Sequence, residues 1–363
     1  MSNEAERLWT EVVTRAFVME LVEMVAPIFI GRTVEGSVQT RYISVQDVDF
    51  QGKKINDVIH IELTAKILSD QGQWLQPMIV RIHKFPDRFS SEIRLYDVLC
   101  DRAAKFDDIH PTKLLHSDPQ KLLIVYESIA SDPILNLDPL LIDFSLGRIA
   151  SVLHGYDVNN FRLDDLINSI KYILEYMPFQ NDIKTSIQQF LERKAQMVPY
   201  TQSGFIPCTA FTPSLLKIKY KVDNPASVDL FMVANGKAFD TYIPMGVVDE
   251  DFHDRYEDVA NFYAIDAFEE YLRTGSINET KERIERFLTG YNMISYRTFG
   301  LEFKSLYPVG HTLDLQLLLS IWLKEVASFD QNNPDLQRIR NLGHFSIYIL
   351  SEGILDDLEI DTF

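Results

Sequence analysis

The chain has 363 residues, 46% of them hydrophobic, and its 35 basic and 53 acidic side chains leave a formal net charge of −18. That length can bury a large core and suits two lobes sharing an interface better than one small module. Acid and base are both spread along the sequence, so the clustered Lys and Arg of a nucleic-acid footprint are missing and nucleic acid is not an expected partner.

Residues 5–28 set Leu8, Val12, Val13, Phe17, Leu21, Met24 and Val25 at helical spacing, which predicts an amphipathic helix ending near Pro27. The period then changes to two. Tyr42–Phe50, Val58–Leu68 and Trp74–His83 are rich in β-branched and aromatic residues, and the polar stretches QGKKIND (51–57) and SDQGQ between them read as hairpin loops of an antiparallel meander. A helix with its N-cap near Ser90–Ser91 follows, carrying Glu92, Leu95, Tyr96 and Leu99. Two more strands are expected at Lys113–His116 and Leu122–Glu127, joined by the turn SDPQ.

From about Pro133 onward the spacing is mostly helical, with long loops expected around 201–214 and 232–256. Short strands are expected inside or beside them at Leu216–Lys221, Asp229–Val233 and Asp240–Ile243. The expected division is a lobe over 1–130, with a leading helix and a sheet, and a helical lobe over 131–363. Residues 313–326 are apolar on more than one face, which fits a buried core helix or an oligomer contact, and the oligomeric state stays open.

Cys100 and Cys208 form neither a disulfide framework nor a zinc spacing. The acidic start MSNEAERLW lacks the basic region of a signal peptide, Glu20 and Glu23 interrupt the run Phe17–Ile30, and Leu313–Leu323 is too short to span a bilayer. The expectation is a cytoplasmic protein without a membrane segment.

Arg81 on a strand, followed by Glu92 in the first turn of the next helix, reads in two ways. One is a surface pair worth at most about 1 kcal/mol; the other is an ion pair that positions a nucleotide's phosphates. Gly52, Lys53 and Lys54 likewise read either as a plain hairpin turn or as a loop that lets phosphate approach backbone and ammonium groups.

These signals occur in one order with MIVRIHKFPDRFSSEIRLYDVL, HPTKLLHSDPQKLLIVYESIA, FSLGRIASVLHGYD, CTAFTPSLLKI, HDRYEDVANFYAIDAFEEYL and FLTGYN. In that order the chain resembles the aminoglycoside phosphotransferase and choline kinase-like family over about residues 40–295. The resemblance implies an α+β, bilobal, protein-kinase-like fold with ATP between the lobes. It places Arg81 at the phosphate-binding position of the third strand, Glu92 at its helix partner and Glu127, Ser128 and Ile129 at the hinge that meets adenine. His154 falls on the family's LxxLHG helix, where a capping or buried role is the expectation.

The same resemblance sets Cys208, Ala210 and Leu215 where the family pattern HGDxxPxN has histidine, aspartate and asparagine. An alanine methyl accepts no proton, and a leucine offers no oxygen to magnesium. His253-Asp254 and Asp258-Val259-Ala260 match later family elements, and counting back from them puts Gly246 at the metal-binding aspartate. Asp249 and Glu250 are then either substitute ligands for Mg2+ or part of a solvated acidic loop. The expectation is a pseudokinase that binds a nucleotide, a small molecule or a protein partner. The alternative is an active phosphotransferase with a rearranged metal site at Asp249 and Glu250.

Overall fold

The computed structural model describes residues 13–33, 43–55, 57–70, 72–129, 132–154, 158–197, 200–206, 216–220, 233–234, 237–243, 251–299, 309–328 and 335–354. Helix α1 (Arg15–Thr33) leads into strands β1 (Ile43–Ile55), β2 (Val58–Ser69) and β3 (Gly72–His83), helix α2 (Pro86–Ala103), and strands β4 (Ile109–Pro111), β5 (Leu114–Asp118), β6 (Leu123–Glu127) and β7 (Asp132–Pro133). Next come α3 (Pro139–His154), β8 (Val158–Arg162), α4 (Leu163–Tyr176), α5 (Asn181–Met197), β9 (Tyr200–Ile206), β10 (Lys217–Tyr220), β11 (Val233–Ala234), β12 (Lys237–Ile243) and β13 (Asp251–Asp254). Four helices close the sequence: α6 (Arg255–Thr274), α7 (Asn278–Phe299), α8 (Val309–Ser328) and α9 (Leu336–Glu352). This is the expected α+β class, an antiparallel sheet first and a mainly helical remainder.

Contacts divide the chain into two units, Met1–Asn136 with Ser214–Asp249, and Leu137–Pro213 with Glu250–Phe363. The second stretch of the first unit differs from the expected split into 1–130 and 131–363, and the reason is strand pairing. β10 pairs antiparallel with β7 and β12, while β12 runs parallel to β4, so these short strands are stitched to the segment that follows α2.

In the first unit the five-stranded order β1-β2-β3-β6-β5 is antiparallel throughout. Alternation along β2 buries Ile59, Ile61, Leu63, Ala65 and Ile67 against Val18, Leu21, Val22, Val25 and Ala26 of α1. Helix α1 continues through Pro27 to Thr33 and does not stop where the sequence places its end; the packing of Val18–Ala26 anchors the turns before the proline, which removes one backbone bond. The hairpin loop expected over 51–57 is also corrected. β1 stays paired with β2 as far as Ile55 opposite Val58, so Gln51, Gly52, Lys53 and Lys54 are strand residues.

Helix α2 begins at Pro86, earlier than the expected cap at Ser90–Ser91. Proline at the first helical position loses no intrahelical bond, and Asp87 in the first turn complements the helix dipole. At the β5–β6 turn Asp118 Oδ1 accepts from the backbone N–H groups of Gln120 and Lys121, and Leu122 takes φ 52°.

In the second unit, β8, β9 and β13 form a three-stranded sheet, so Tyr200–Ile206 is strand where a loop is expected. Helices α3 and α7 meet backbone to backbone at Gly147 and Gly290. A Cβ on Gly147 would stand 1.9 Å from the Phe287 carbonyl oxygen, and one on Gly290 would stand 2.1 Å from that of Phe144. In α8, Leu315, Leu317, Leu318, Ile321 and Trp322 are wholly buried, the core reading of 313–326, although Leu323 and Val326 are exposed. No described helix is long and apolar enough to cross a membrane.

Candidate functional site

One face of the first unit's sheet is apolar and covered by α1; the other carries charge. Register fixes which residues share it. Lys53 is opposite His60, and His60 is opposite Arg81, so three basic side chains form a row across β1, β2 and β3 on one face. Lys54, the next residue, belongs to the opposite face by the same alternation, so the two expected lysines do not act together. Beside the row, Glu62 Oε1 lies 3.3 Å from His60 Nε2. Burial lowers the pKa of His60 and the Arg81 charge lowers it further, while Glu62 acts in the opposite sense.

Arg81 and Glu92 meet as the sequence implies. Arg81 Nε donates to Glu92 Oε2 at 2.9 Å from strand to helix, with side chains 12% and 5% exposed, so the surface-pair reading does not apply. The pair forms because α2 starts at Pro86 directly after β3, which brings Glu92 back over the strand. His83 Nε2 stands 2.9 Å from the same Oε2, without hydrogen-bond alignment. Burial alone would raise the Glu92 pKa, but the His83 contact and the Arg81 charge outweigh it and hold the carboxyl below its ordinary value.

The hydroxyl of buried Tyr126 on β6 has no aligned partner among the described residues; burial and the neighbouring Glu92 carboxylate push its pKa up. Tyr96 on α2 lies with its ring tilted 47° to that of Tyr126 at a centroid distance of 5.9 Å and accepts the Leu114 N–H at 3.0 Å, and burial raises its pKa to about 12. The row and the buried carboxylate behind it would suit an anionic chain of phosphates, with Arg81 and Lys53 as counter-charges.

The hinge positions are already partly engaged. The Glu127 N–H donates to the Lys113 carbonyl at 2.8 Å and the Ser128 N–H to the Pro77 carbonyl at 3.1 Å, so neither of these two donors is available to an adenine edge without breaking a sheet bond. Ile129 follows directly after them. Gly52 has room for a side chain, since a Cβ there would meet Ile61 Cγ1 at 3.7 Å; the fold itself does not require glycine.

No protein-family model and no curated protein matches the sequence. Solved structures do. The choline kinase LicA of Streptococcus pneumoniae is 14% identical with a TM-score of 0.41 over 92% of this chain and 98% of that one. The ADP-bound aminoglycoside phosphotransferase APH(2'')-Ib is 10% identical with a TM-score of 0.40 over the same shares. An ethanolamine kinase of Plasmodium vivax is 12% identical with a TM-score of 0.35 over 99% and 98%. The chain resembles kinase-like phosphotransferases. A likeness at this level gives no residue a role.

In the second unit His154 closes α3, wholly buried, with Nε2 at 3.0 Å from Asp258 Oδ2 on α6 and Nδ1 at 3.1 Å from the Tyr291 hydroxyl on α7. With Asp258 as the carboxylate, Nε2 carries the hydrogen and Nδ1 accepts from Tyr291. Asp258 therefore serves a three-helix junction. A second buried carboxylate, Asp143, accepts from Tyr263 at 2.9 Å and from Arg283 and Arg286 at 3.3 Å.

Ala210, Leu215, Gly246, Asp249 and Glu250 lie outside the described residues, as does Cys208, and of His253 and Asp254 only the strand backbone is described. Among the described residues no group of three or more His, Cys, Asp or Glu is arranged to hold a metal ion. Sequence reasoning missed His60, His83 and Tyr126. His83 was within reach of it, because alternation puts a residue two places after Arg81 on the same face.

Proposed function

We propose that this chain is a kinase-like protein that binds a nucleotide through its phosphates on the charged face of the first unit and does not carry out ordinary phosphoryl transfer. The buried Arg81–Glu92 pair carries the binding half of this reading. A carboxylate 5% exposed holds the guanidinium by Nε, which leaves its terminal nitrogens outside that bond, and Lys53 and His60 continue the basic row. ATP is the ligand class, with a small molecule or a protein as the further partner.

The sequence supports the second half. Phosphoryl transfer depends on positioned metal ions and an acceptor for the incoming hydroxyl's proton. Ala210 and Leu215 supply neither group at the positions where the family resemblance would put them.

Calorimetric titration of ATP into the full chain, with and without Mg2+, tests the reading beside a turnover assay. Binding that weakens at least about tenfold in Arg81→Gln, a loss of roughly 1.4 kcal/mol, supports the phosphate site. Absence of binding under both conditions defeats it, and Mg2+-dependent turnover would replace the pseudokinase reading with an active enzyme that uses Asp249 or Glu250.

A further inference from the structure

Glu92 offers one oxygen to two bases. Arg81 Nε and His83 Nε2 each stand 2.9 Å from Oε2, while Oε1 has no hydrogen-bond partner among the described residues. His83 is 2% exposed and neither of its ring nitrogens is aligned with an acceptor or donor there, although its ring is fixed edge-on to Phe89 in the first turn of α2 at 6.2 Å. An unsatisfied buried imidazole is costly. This one is kept at contact distance from a buried carboxylate, where gaining a proton converts a poor contact into a charge-assisted hydrogen bond.

We propose that His83 is a positioning residue: once protonated it joins Arg81 as a counter-ion of Glu92, so that the Nε bond can loosen while the terminal nitrogens of Arg81 engage a bound chain of phosphates. The step rests on reading the basic row as a phosphate site. It needs no co-reactant beyond a solvent proton. Without His83, any loosening of the Arg81 bond would leave Glu92 buried and short of a partner, the state that makes breaking such pairs expensive.

The surrounding groups are compatible with this assignment. Lys53 on β1 and Lys84 at the end of β3 are the nearby lysines, and Lys84 lies 3.5 Å from Asp57. Glu62 faces His60 on β2, and Tyr96 and Tyr126 hold their phenolic protons, since burial raises both. Among the described residues His60 is the imidazole of the basic row itself, so it needs its own control.

The experiment measures the affinity of inorganic tripolyphosphate for the full chain, at about pH 6 and about pH 8, in wild type, His83→Gln and His60→Gln. The ligand's own protonation is common to all three. Wild type is expected to tighten about tenfold more than His83→Gln as pH falls, and His60→Gln, which loses one member of the basic row, to bind more weakly at both pH values while still tightening more than His83→Gln. Equal pH dependence in wild type and His83→Gln overturns the proposal, as does a slope lost in His60→Gln but kept in His83→Gln.

If tripolyphosphate binds none of the proteins, the phosphate-site reading fails instead, and NMR titration of the wild-type imidazoles decides the His83 step. Proton uptake at His83 that is weakened in Glu92→Gln supports it. A His83 ring that stays neutral across the same range overturns it.

Discussion

Lys194 on α5 places its ammonium 2.8 Å from Asp314 Oδ2 on α8, and the other oxygen of Asp314 accepts the Ile354 N–H at 2.8 Å. The side chains are 7% and 0% exposed, so this ion pair ties two helices and the segment after α9 inside the second unit. Replacing Lys194 by Met leaves a buried carboxylate without its cation, and the expected cost is about 3–5 kcal/mol in urea unfolding. Adding Asp314→Asn should recover part of it, because an amide leaves no buried charge.

His154 separates a structural role from a catalytic one. His154→Phe keeps an aromatic ring but removes the hydrogen bonds to Tyr291 and Asp258, so stability is expected to fall by about 2 kcal/mol. The affinity for ATP should stay within about twofold of wild type, under half a kcal/mol. A variant of normal stability that no longer binds nucleotide would reassign His154 to the site.

The two glycines with opposite surroundings give opposite expectations. Gly147→Ala drives a methyl into the Phe287 carbonyl at 1.9 Å, where no rotamer gives way, and should lower stability by about 3 kcal/mol or more, or prevent folding. Gly52→Ala meets one side-chain atom at 3.7 Å and should melt within a few degrees of wild type. Loss of ATP affinity in that otherwise intact variant would show that a ligand, and not the fold, requires the glycine.

Local periodicity made much of the first unit readable. The three long strands and the helix after them follow from alternation and helical spacing, and Arg81 and Glu92 could be paired because a short connection returns the helix over its strand. What resisted reading depends on non-local pairing. The extension of β1 to Ile55 is decided by β2, and the return of β10 and β12 to the first unit by β7 and β4. His83 shows a third kind of limit. Its place on the face is periodic, but its nearness to Oε2 of Glu92 depends on the helix approach, which no spacing rule encodes.

The depressed pKa of Glu92 gives a pH prediction with a definite sign. Folded Glu92 gives up its proton more readily than the unfolded residue, so its contribution is complete above the ordinary value of 4.5 and is lost as pH falls through the lower folded value. Urea midpoints measured downward from about pH 5 should fall more steeply in wild type than in Glu92→Gln. Parallel curves would show that the carboxylate is not held by His83 and Arg81.

The positions that the family resemblance sets on the catalytic loop allow a gain-of-function test of the proposed lack of transfer. Ala210 and Leu215 occupy the places where the family resemblance has the proton acceptor and a metal ligand, so the double variant Ala210→Asp with Leu215→Asn restores both chemical groups while leaving Thr212-Pro213-Ser214 between them unchanged. A carboxylate acceptor is worth about 10²–10⁴-fold in rate where geometry permits, and an oxygen ligand is what magnesium demands. Wild type is expected to show no Mg2+-dependent ATP consumption, and the double variant a measurable rate at least about tenfold above either single variant, since the two groups act as a unit. Removing Mg2+ should abolish that rate and Arg81→Gln should reduce it. A wild-type rate equal to that of the double variant would mean that the chain draws its proton acceptor and metal ligands from elsewhere, with Asp249 and Glu250 the first residues to substitute.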